Sequence, residues 1–351
     1  MKGTTISIIV PIYNVEPYVE ACINSINRQT YEGSIECIIV DDCGTDESMT
    51  IVERIIANYE GPITYKIIHH NHNCGLSAAR NTGMDSATGD YIFFLDSDDE
   101  LTDDCIQKLS EPLKEKKYDI IVGKFENKDE NGTYSHGILV LPEKTVLYGH
   151  DILYTYCKGN LYSMVWNKLY RISFLRSHRL SFKAGIIHED ELWTLQLACL
   201  SQSLYVVRQT TYKYRRRKNS IMTSSNTNSM INANAYYTYV IEMGKFVKEK
   251  QINEDAAIEI IRRRFYETLR LQVCHPSIFI KRYRTMRHHT ISFLKLFRQN
   301  AACEKQRIRD YHFLIPSPIS PYYEYGVEAM LMASKYVIYG FNKAMFIIRN
   351  R

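Results

Sequence analysis

The first half of the chain alternates short apolar runs with longer amphipathic segments. The apolar runs have the length of buried strands and are rich in β-branched and aromatic residues. Between them, apolar residues recur at helical spacing, as at Val19, Cys22, Ile23 and Ile26. This alternation predicts an α/β fold, in which helices cover both faces of a mainly parallel sheet. The predicted strands are residues 6–10, 36–40, 64–69, 91–95 and 119–123.

The pattern changes after residue 123. Residues 125–141 favour a hairpin that turns at "NGTY", and "HEDELWTLQLACL" favours a helix. "SLYVV" predicts a strand, and "TYKYRRRKNSIM" predicts a further strand that runs into a loop. From about residue 230 the pattern is mostly helical and rich in Tyr, Phe, Met, Lys and Arg, so we expect a helical C-terminal region.

The ends of the predicted strands carry polar side chains. Ligands of open α/β sheets bind beyond the carboxyl ends of the strands. The first strand ends in "PIYN", which contains Pro11, Tyr13 and Asn14; the second ends in "DDCGTD" and the fourth in "DSDD". Two acidic clusters and an aromatic–amide pair would therefore line one crevice. Such a crevice suits the stacking of a base, hydrogen bonds to hydroxyls and the binding of a hard cation.

The "DSD" tripeptide favours a metal site. Alternate side chains of a strand share one face, so Asp96 and Asp98 are expected on the same side. Their carboxylate oxygens suit Mn²⁺ or Mg²⁺. A solvated acidic turn, or negative charge that stabilises the start of the next helix, would explain the same tripeptide. The second acidic cluster shifts the balance towards a functional site, and Asp99 and Glu100 are expected only to start the next helix.

Five motifs in order resemble family-2 glycosyltransferases. They are "SIIVPIYN", "IVDDCGTDES", "NCGLSAARNTGMDSATGDYIFFLDSDD", "VWNKLYR" and "HEDE", and the resemblance covers roughly residues 4–225. It implies a Rossmann-like GT-A fold and transfer of a sugar with inversion, in the manner of non-processive enzymes of bacterial polysaccharide synthesis. We therefore expect a catalytic domain at residues 1–225 and a helical, basic, aromatic-rich region at residues 226–351.

The resemblance implies a role for each matching residue. Tyr13 is expected to stack on the nucleotide base, and Asp42 to hydrogen-bond it. Asp96 is expected to contact the ribose or a metal-bound water, and Asp98 to coordinate Mn²⁺ or Mg²⁺. Asp190 resembles the catalytic base, with Glu189 orienting it or holding the acceptor. The nucleotide-sugar side is completed by Pro11, Asn14, Arg80, Ser97 and one of Arg215, Arg216 and Arg217, with Arg216 preferred.

The expected donor is a nucleoside-diphosphate sugar, with UDP preferred, and the expected acceptor is a glycan or a lipid-linked oligosaccharide. Two alternatives remain. A nucleotidyltransferase acting on a sugar phosphate would also use paired carboxylates, but it would more typically have a Gly-rich basic loop after the first strand, and "PIYNVEPY" has none. A non-catalytic carbohydrate-binding or scaffold protein would not need two acidic strand ends and a separate "HED".

Charge divides the chain unevenly. The net charge of +5 combines −5 over residues 1–230 with +10 over residues 231–351. Basic, amphipathic helical sequence fits a solvated helical face, packing against the protein or attachment to an anionic membrane surface. Nucleic-acid binding is disfavoured because no DNA- or RNA-binding motif accompanies the charge. No apolar run is long enough to span a bilayer, and no signal peptide is expected. The nine cysteines contain no CxxC pair, which favours reduced thiols. We therefore expect a cytoplasmic protein that is peripheral at most at the membrane.

Four further features stay open between function and structure. "HHNHN" at residues 69–73 resembles a metal cluster, but a surface loop is the favoured interpretation. His188 is expected either to tune the neighbouring base or to pack, and Trp166 to serve the core or the acceptor pocket. Lys168 is a possible indirect partner of the site.

Overall fold

A computed structural model describes residues 3–128, 134–136, 141–186, 188–216, 228–252, 256–258, 260–261 and 264. Within these residues, ten strands form one sheet. The strands are β1 Ile6–Ile12, β2 Ile35–Asp41, β3 Thr64–His69, β4 Tyr91–Phe94, β5 Glu100–Leu101, β6 Ile120–Lys128, β7 Tyr134–His136, β8 Val146–Tyr148, β9 Lys168–Arg171 and β10 Ser203–Arg215. The helices are α1 Glu16–Asn27, α2 Ser48–Ala57, α3 Leu76–Ser86, α4 Cys105–Ser110, α5 His150–Cys157, α6 Ile172–Ser177, α7 Glu189–Leu200 and α8 Asn228–Glu249, with a 3₁₀ turn at Glu111–Lys114.

The first half of the sheet is parallel, as predicted. Its strand order is β3-β2-β1-β4, and each neighbouring pair runs in the same direction. All seven residues of β1 are buried, which is typical of a central strand covered on both faces. Helix α3 packs directly on β1, because a Cβ atom on Gly83 would collide with the side chain of Ile9.

The second half of the sheet is mixed. Strand β9 runs antiparallel between β4 and β6, and β10 then pairs with β6 in parallel. The predicted strand at residues 119–123 is the beginning of β6, and the predicted hairpin is formed by the antiparallel pair β6–β7. The two strands predicted from "SLYVV" and "TYKYRRR" are one thirteen-residue strand, β10. Its polar middle pairs irregularly with β6, with register shifts between Val206 and Tyr212.

This topology brings the polar strand ends together. The carboxyl ends of β1, β2 and β4 lie on the same edge of the parallel half, and the loop after β4 leads into β5, which pairs with the carboxyl-terminal part of β10. The predicted crevice therefore has its acidic and aromatic elements at one edge.

The remaining predictions about the chain's organisation concern its second half. The predicted boundary between residues 225 and 226 lies outside the described residues, as does most of the predicted basic helical region. Among the helices that the structure describes, none is long and apolar enough to cross a membrane.

Candidate active site

The acidic loop after β4 presents its carboxylates alternately. Asp96 and Asp98 are half-buried, whereas Ser97, Asp99 and Glu100 are buried. This is the alternation expected for a strand end, and it leaves Asp96 and Asp98 as the members of the loop with solvent access. Two accessible carboxylates beside each other are a donor set that fits a hard divalent cation.

The buried carboxylates of the same loop bind the end of β10. Asp99 accepts hydrogen bonds from the Tyr212 hydroxyl and from the backbone N–H of Arg215, each at 2.7 Å. Burial, followed by the charges of Asp98 and Asp96, raises the pKa of Asp99 well above its usual value. Asp99 therefore anchors the loop to a strand, a role beyond the predicted start of a helix.

Arg215 has a structural role in the same contact. Its guanidinium donates to the carbonyl oxygen of Asp98 at 3.1 Å and to the carboxylate of Glu100 at 2.6 Å. Glu100 also receives the ammonium of Lys128 at 2.7 Å. Although burial raises the pKa of Glu100, these partners hold it below its usual value. Arg216 is exposed at the end of β10, and Arg217 lies outside the described residues.

Arg80 joins the acidic loop to the predicted catalytic helix. Its guanidinium donates to Asp96 at 2.8 Å and to Glu189 at 2.6 Å. The Arg80 side chain is only 4% exposed and lies over the ring of Phe182, 5.4 Å from its centroid. Burial lowers the pKa of Arg80, but the charges of Asp96 and Glu189 raise it above its usual value, so the guanidinium stays charged. The sequence motifs contain Arg80, Asp96 and Glu189, but no local pattern predicts that the three are joined.

Asp190 lies at the beginning of α7, next to the residue that Arg80 holds. Helix α7 starts after His188, whose backbone is in the left-handed conformation (φ 64°, ψ 41°). Burial, followed by the charges of Glu189 and Glu191, raises the pKa of Asp190 to about 7. A carboxylate with a pKa near neutrality is suited to accept a proton at physiological pH.

The ends of β1 and β2 carry the residues predicted to bind the nucleotide base. The Tyr13 ring is 45% exposed, as a stacking platform requires, whereas Pro11 is buried within β1. Asn14 has a positive φ of 50°, and its side-chain oxygen accepts the N–H of Thr45 at 2.8 Å. Asn14 therefore fixes the loop that follows β2, and a direct contact with the donor stays a prediction.

Asp42 is buried and bonded within the protein. Its carboxylate accepts the backbone N–H groups of Cys74 at 2.8 Å and Gly75 at 2.9 Å, and it contacts Nδ1 of His70 at 2.7 Å. These bonds hold the Asp42 side chain where α3 begins. Its predicted hydrogen bond to the base stays a prediction, since both carboxylate oxygens already have partners in the protein.

Trp166 and Lys168 are both buried in the protein interior. Trp166 is buried and stacks on Tyr212, with ring centroids 4.5 Å apart and an interplanar angle of 7°. The ammonium of Lys168 is buried, donates to the carbonyl oxygens of Tyr162 and Met164, and lies 3.9 Å from the centroid of the Tyr162 ring. Burial lowers the pKa of Lys168 well below its usual value, and the charge of Asp190 opposes that shift. Trp166 thus belongs to the core.

Comparison with known proteins agrees with this geometry. Residues 7–178 match the model of glycosyl transferase family 2. This chain contains a family-2 glycosyltransferase domain. The match begins within β1 and ends after α6, so it includes Asp42, Arg80 and the acidic loop after β4.

Curated relatives are glycosyltransferases of bacteria. Glycosyltransferase GlyA of Streptococcus pneumoniae is 32% identical over 224 residues, which are 62% of this chain and 31% of that protein. The uncharacterized glycosyltransferase EpsJ of Bacillus subtilis is 33% identical over 226 residues, which are 62% of each chain. The chain therefore spans less than two thirds of the length of these relatives.

A solved structure shares the fold of the family-2 domain. The crystal structure of Staphylococcus aureus TarS residues 1–349 in complex with UDP-GlcNAc aligns with a TM-score of 0.57 at 18% identity, covering 86% of this chain and 92% of that one. The family-2 domain therefore has the α/β architecture of the GT-A fold that the resemblance implied.

Proposed function

We propose that this protein transfers a sugar from a nucleoside-diphosphate donor, with UDP as the nucleotide, to a hydroxyl of a glycan or lipid-linked acceptor. The observation that supports this most directly is the Arg80 bridge. It places Asp96, on the donor and metal side, and Glu189, beside the proposed base, on opposite ends of one guanidinium. Donor and acceptor chemistry would thus share a single site.

The base side of the donor pocket is assigned to Tyr13 and Asp42. The exposed ring of Tyr13 offers a stacking face. Asp42 lies at the end of the neighbouring strand, and the register pairs Ile12 with Asp41, which puts the two strand ends side by side. UDP is preferred because the TarS structure is a complex with UDP-GlcNAc. Of Arg215 and Arg216, the two arginines here that the structure describes, Arg216 is exposed after β10 and is assigned to the diphosphate.

A divalent ion, Mn²⁺ or Mg²⁺, is assigned to Asp98 with Asp96 beside it. The half-buried carboxylates of both residues fit a hard cation, and Ser97 between them is turned inward. When bound, such an ion supplies Lewis-acid stabilisation of the negative charge on the leaving diphosphate. Arg80 keeps one oxygen of Asp96 oriented by its 2.8 Å hydrogen bond.

Asp190 is assigned as the general base of an inverting transfer. It removes the proton from the acceptor hydroxyl as that oxygen attacks the anomeric carbon from the face opposite the diphosphate. A raised pKa near 7 lets the carboxylate take that proton and release it again in each cycle. Glu189, held by Arg80 at 2.6 Å, orients the turn that carries Asp190.

The acceptor and the location follow from the relatives and the charge. TarS of Staphylococcus aureus is named a poly(ribitol-phosphate) β-N-acetylglucosaminyltransferase, a bacterial glycan-modifying enzyme. A glycan or lipid-linked oligosaccharide acceptor at the cytoplasmic face of the membrane is consistent with the +10 charge of residues 231–351.

The test is donor turnover by the full chain with Mn²⁺ across a panel of nucleotide sugars. Release of the nucleoside diphosphate supports sugar transfer, whereas release of pyrophosphate from a nucleoside triphosphate and a sugar phosphate would establish the nucleotidyltransferase alternative. Asp98→Asn and Asp190→Asn should each lower turnover by about 10²- to 10⁴-fold. Asp85→Asn, at an exposed carboxylate of α3, is the matched control. Unchanged turnover in both site variants would refute the assignments.

A further inference from the structure

Three side chains with metal-ligand chemistry meet beside the beginning of α3. They are Asp42 after β2, His70 after β3 and Cys74 immediately before α3, and one ligand atom from each lies within 4.8 Å of the other two. The sequence pattern favours a plain surface loop for "HHNHN", because this stretch precedes the predicted "GLSAARN" helix, where a loop belongs. His70 and Asp42 are 28 residues apart in the chain. The parallel pairing of β2 with β3, which aligns Asp41 with His69, brings these distant residues together.

We infer that Asp42, His70 and Cys74 form a binding site for a thiophilic divalent cation, Zn²⁺. Carboxylate, imidazole and thiolate together are donors of zinc sites, and three protein ligands leave the fourth tetrahedral position for water. A thiolate in the set disfavours Mg²⁺ and Mn²⁺, which prefer oxygen. Ligand chemistry therefore separates this site from the carboxylates of Asp96 and Asp98.

The groups around these three side chains are those of a metal site. Nε2 of His70 lies 2.9 Å from the hydroxyl of Thr82, and Nδ1 faces the carboxylate of Asp42 at 2.7 Å. A metal-bound histidine usually donates its other ring N–H to such a partner, which fixes the orientation of the ring. Asp42 is oriented in turn by the N–H groups of Cys74 and Gly75, at 2.8 and 2.9 Å.

Binding involves a defined exchange of protons. The ion replaces the hydrogen bond between Nδ1 of His70 and the carboxylate of Asp42, and the two groups move apart from their 2.7 Å contact to admit it. The Nδ1 proton is released to solvent, and the neutral imidazole that binds the ion carries its single proton on Nε2, which donates to the hydroxyl of Thr82. The Cys74 thiol loses its proton to solvent as the Zn–S bond forms. Cys74 is exposed whereas Asp42 is buried, so the ion can enter from the thiol side.

Nearby groups agree with this arrangement. Nε2 of His72 lies 3.6 Å from the sulfur of Cys74. Adjacent nitrogen and sulfur ligands of a tetrahedral zinc are separated by about 3.6 Å, given Zn–N and Zn–S bonds of ~2.05 and ~2.3 Å. His72 is therefore a candidate for the fourth position in place of water.

The consequence for catalysis rests on the proposed function. If Asp42 binds the nucleotide base, Zn²⁺ at this site would occupy the same carboxylate, and donor binding would weaken. A soft metal would then inhibit the enzyme at a position separate from the ion that supports transfer.

The test is spectroscopic titration of the full, reduced chain with Co²⁺ as a stand-in for Zn²⁺, in the absence of any donor. We expect one equivalent of Co²⁺ to produce a thiolate-to-cobalt charge-transfer band, which Zn²⁺ then abolishes by displacement. Cys74→Ser should remove the band. Cys43→Ser, an exposed cysteine outside the cluster, should retain it. Thr82→Val should weaken metal affinity by roughly 10- to 100-fold, because it removes the partner of His70.

A cobalt spectrum without a thiolate band, or a band that survives in Cys74→Ser, would overturn the site. A second measurement follows thermal stabilisation by UDP with and without Zn²⁺ in the native chain and in Cys74→Ser. Weaker stabilisation by UDP in the native chain alone supports competition at Asp42, and an identical effect in both overturns it. Absence of any stabilisation by UDP would count against the proposed donor while the cobalt result still decides the metal site.

Discussion

At the scale of single residues, the active site is organised by one guanidinium between carboxylates of different roles. Arg80 is buried with Asp96 on one side and Glu189 on the other, at 2.8 and 2.6 Å. A buried cation of this kind offsets part of the negative charge of its two carboxylate partners, and the pKa of neighbouring Asp190 is raised to about 7. Burial and the neighbouring charges of Glu189 and Glu191 thus give Asp190 a pKa at which it can exchange protons near neutral pH.

The raised pKa of Asp190 predicts opposite effects of pH on activity and on stability. The proposed mechanism requires deprotonated Asp190, so kcat/KM should rise with pH and level off above about pH 7. The folded state binds the Asp190 proton more tightly than the unfolded state, whose Asp pKa is about 3.9. The free energy of unfolding should therefore fall as pH rises from about 4 to 7.

Asp190→Asn tests both effects in one protein. The variant should lose about 10²- to 10⁴-fold in activity. At pH 8 it should be more stable than the native chain, by on the order of 1 kcal/mol, because a buried charge has been removed. Denaturant unfolding at pH 5 and pH 8 measures the change, with Asp85→Asn as the control. Equal pH dependence of stability in native and variant chains would contradict the raised pKa.

At the scale of elements, the acidic loop depends on β10 for its shape. Tyr212 donates its hydroxyl proton to buried Asp99 at 2.7 Å, and its ring stacks on Trp166. Tyr214, two residues later on the same strand, also stacks on Trp166, with ring centroids 5.4 Å apart. Within the described residues, the Tyr214 hydroxyl makes no hydrogen bond. Removing the hydroxyl from each tyrosine in turn therefore measures the contribution of the hydrogen bond from Tyr212 to Asp99, since both variants keep the stacking ring.

Tyr212→Phe should destabilise the fold by about 1–3 kcal/mol, since it leaves one oxygen of the buried Asp99 carboxylate without its donor, while the other oxygen keeps the N–H of Arg215. The loop that carries Asp98 should become less well positioned, so the apparent affinity for Mn²⁺ in turnover should fall. Tyr214→Phe should change both quantities much less. Comparable losses in the two variants would show that the hydrogen bond of Tyr212 to Asp99 does not hold the loop.

Sequence pattern predicted the elements whose signal is local. Strands β1 to β4 and helix α1 were predicted close to their observed positions, because burial on both faces produces continuous apolar runs and clear helical spacing. That β10 is one continuous strand was not predicted, because its polar middle interrupts the apolar pattern. The anchoring of Asp99 by Tyr212 was missed too, because the two are 113 residues apart, and no local pattern encodes such a contact.

The same reason limits what could be predicted about the site. Motifs identified Asp96, Asp98, Glu189 and Asp190 individually, but the Arg80 bridge spans 109 residues between Arg80 and Glu189. The cluster of Asp42, His70 and Cys74 likewise depends on the pairing of β2 with β3. A sequence shows which residue types are available, and the register of the sheet decides which of them meet.

At the scale of the whole molecule, the chain places opposite charges in different regions. Residues 1–230 have a net charge of −5, and residues 231–351 have a net charge of +10. The acidic region contains the proposed donor and base carboxylates. Most of the basic region lies outside the described residues, so its role is argued from sequence alone. An acidic catalytic region with a basic partner region is consistent with an enzyme that works next to an anionic surface.

Attachment to such a surface predicts binding that depends on lipid charge and on salt. The full chain should sediment with vesicles that contain anionic phospholipid and should not sediment with purely zwitterionic vesicles. Each Lys or Arg near the surface contributes about 1 kcal/mol, and salt screens this attraction. Raising the salt concentration from 50 mM to 500 mM should therefore release most of the bound protein, since the screening length falls below about 5 Å. Binding that is equal for both lipids, or unaffected by salt, would show that charge does not direct attachment, and acceptor recognition would then have to rest on the catalytic domain.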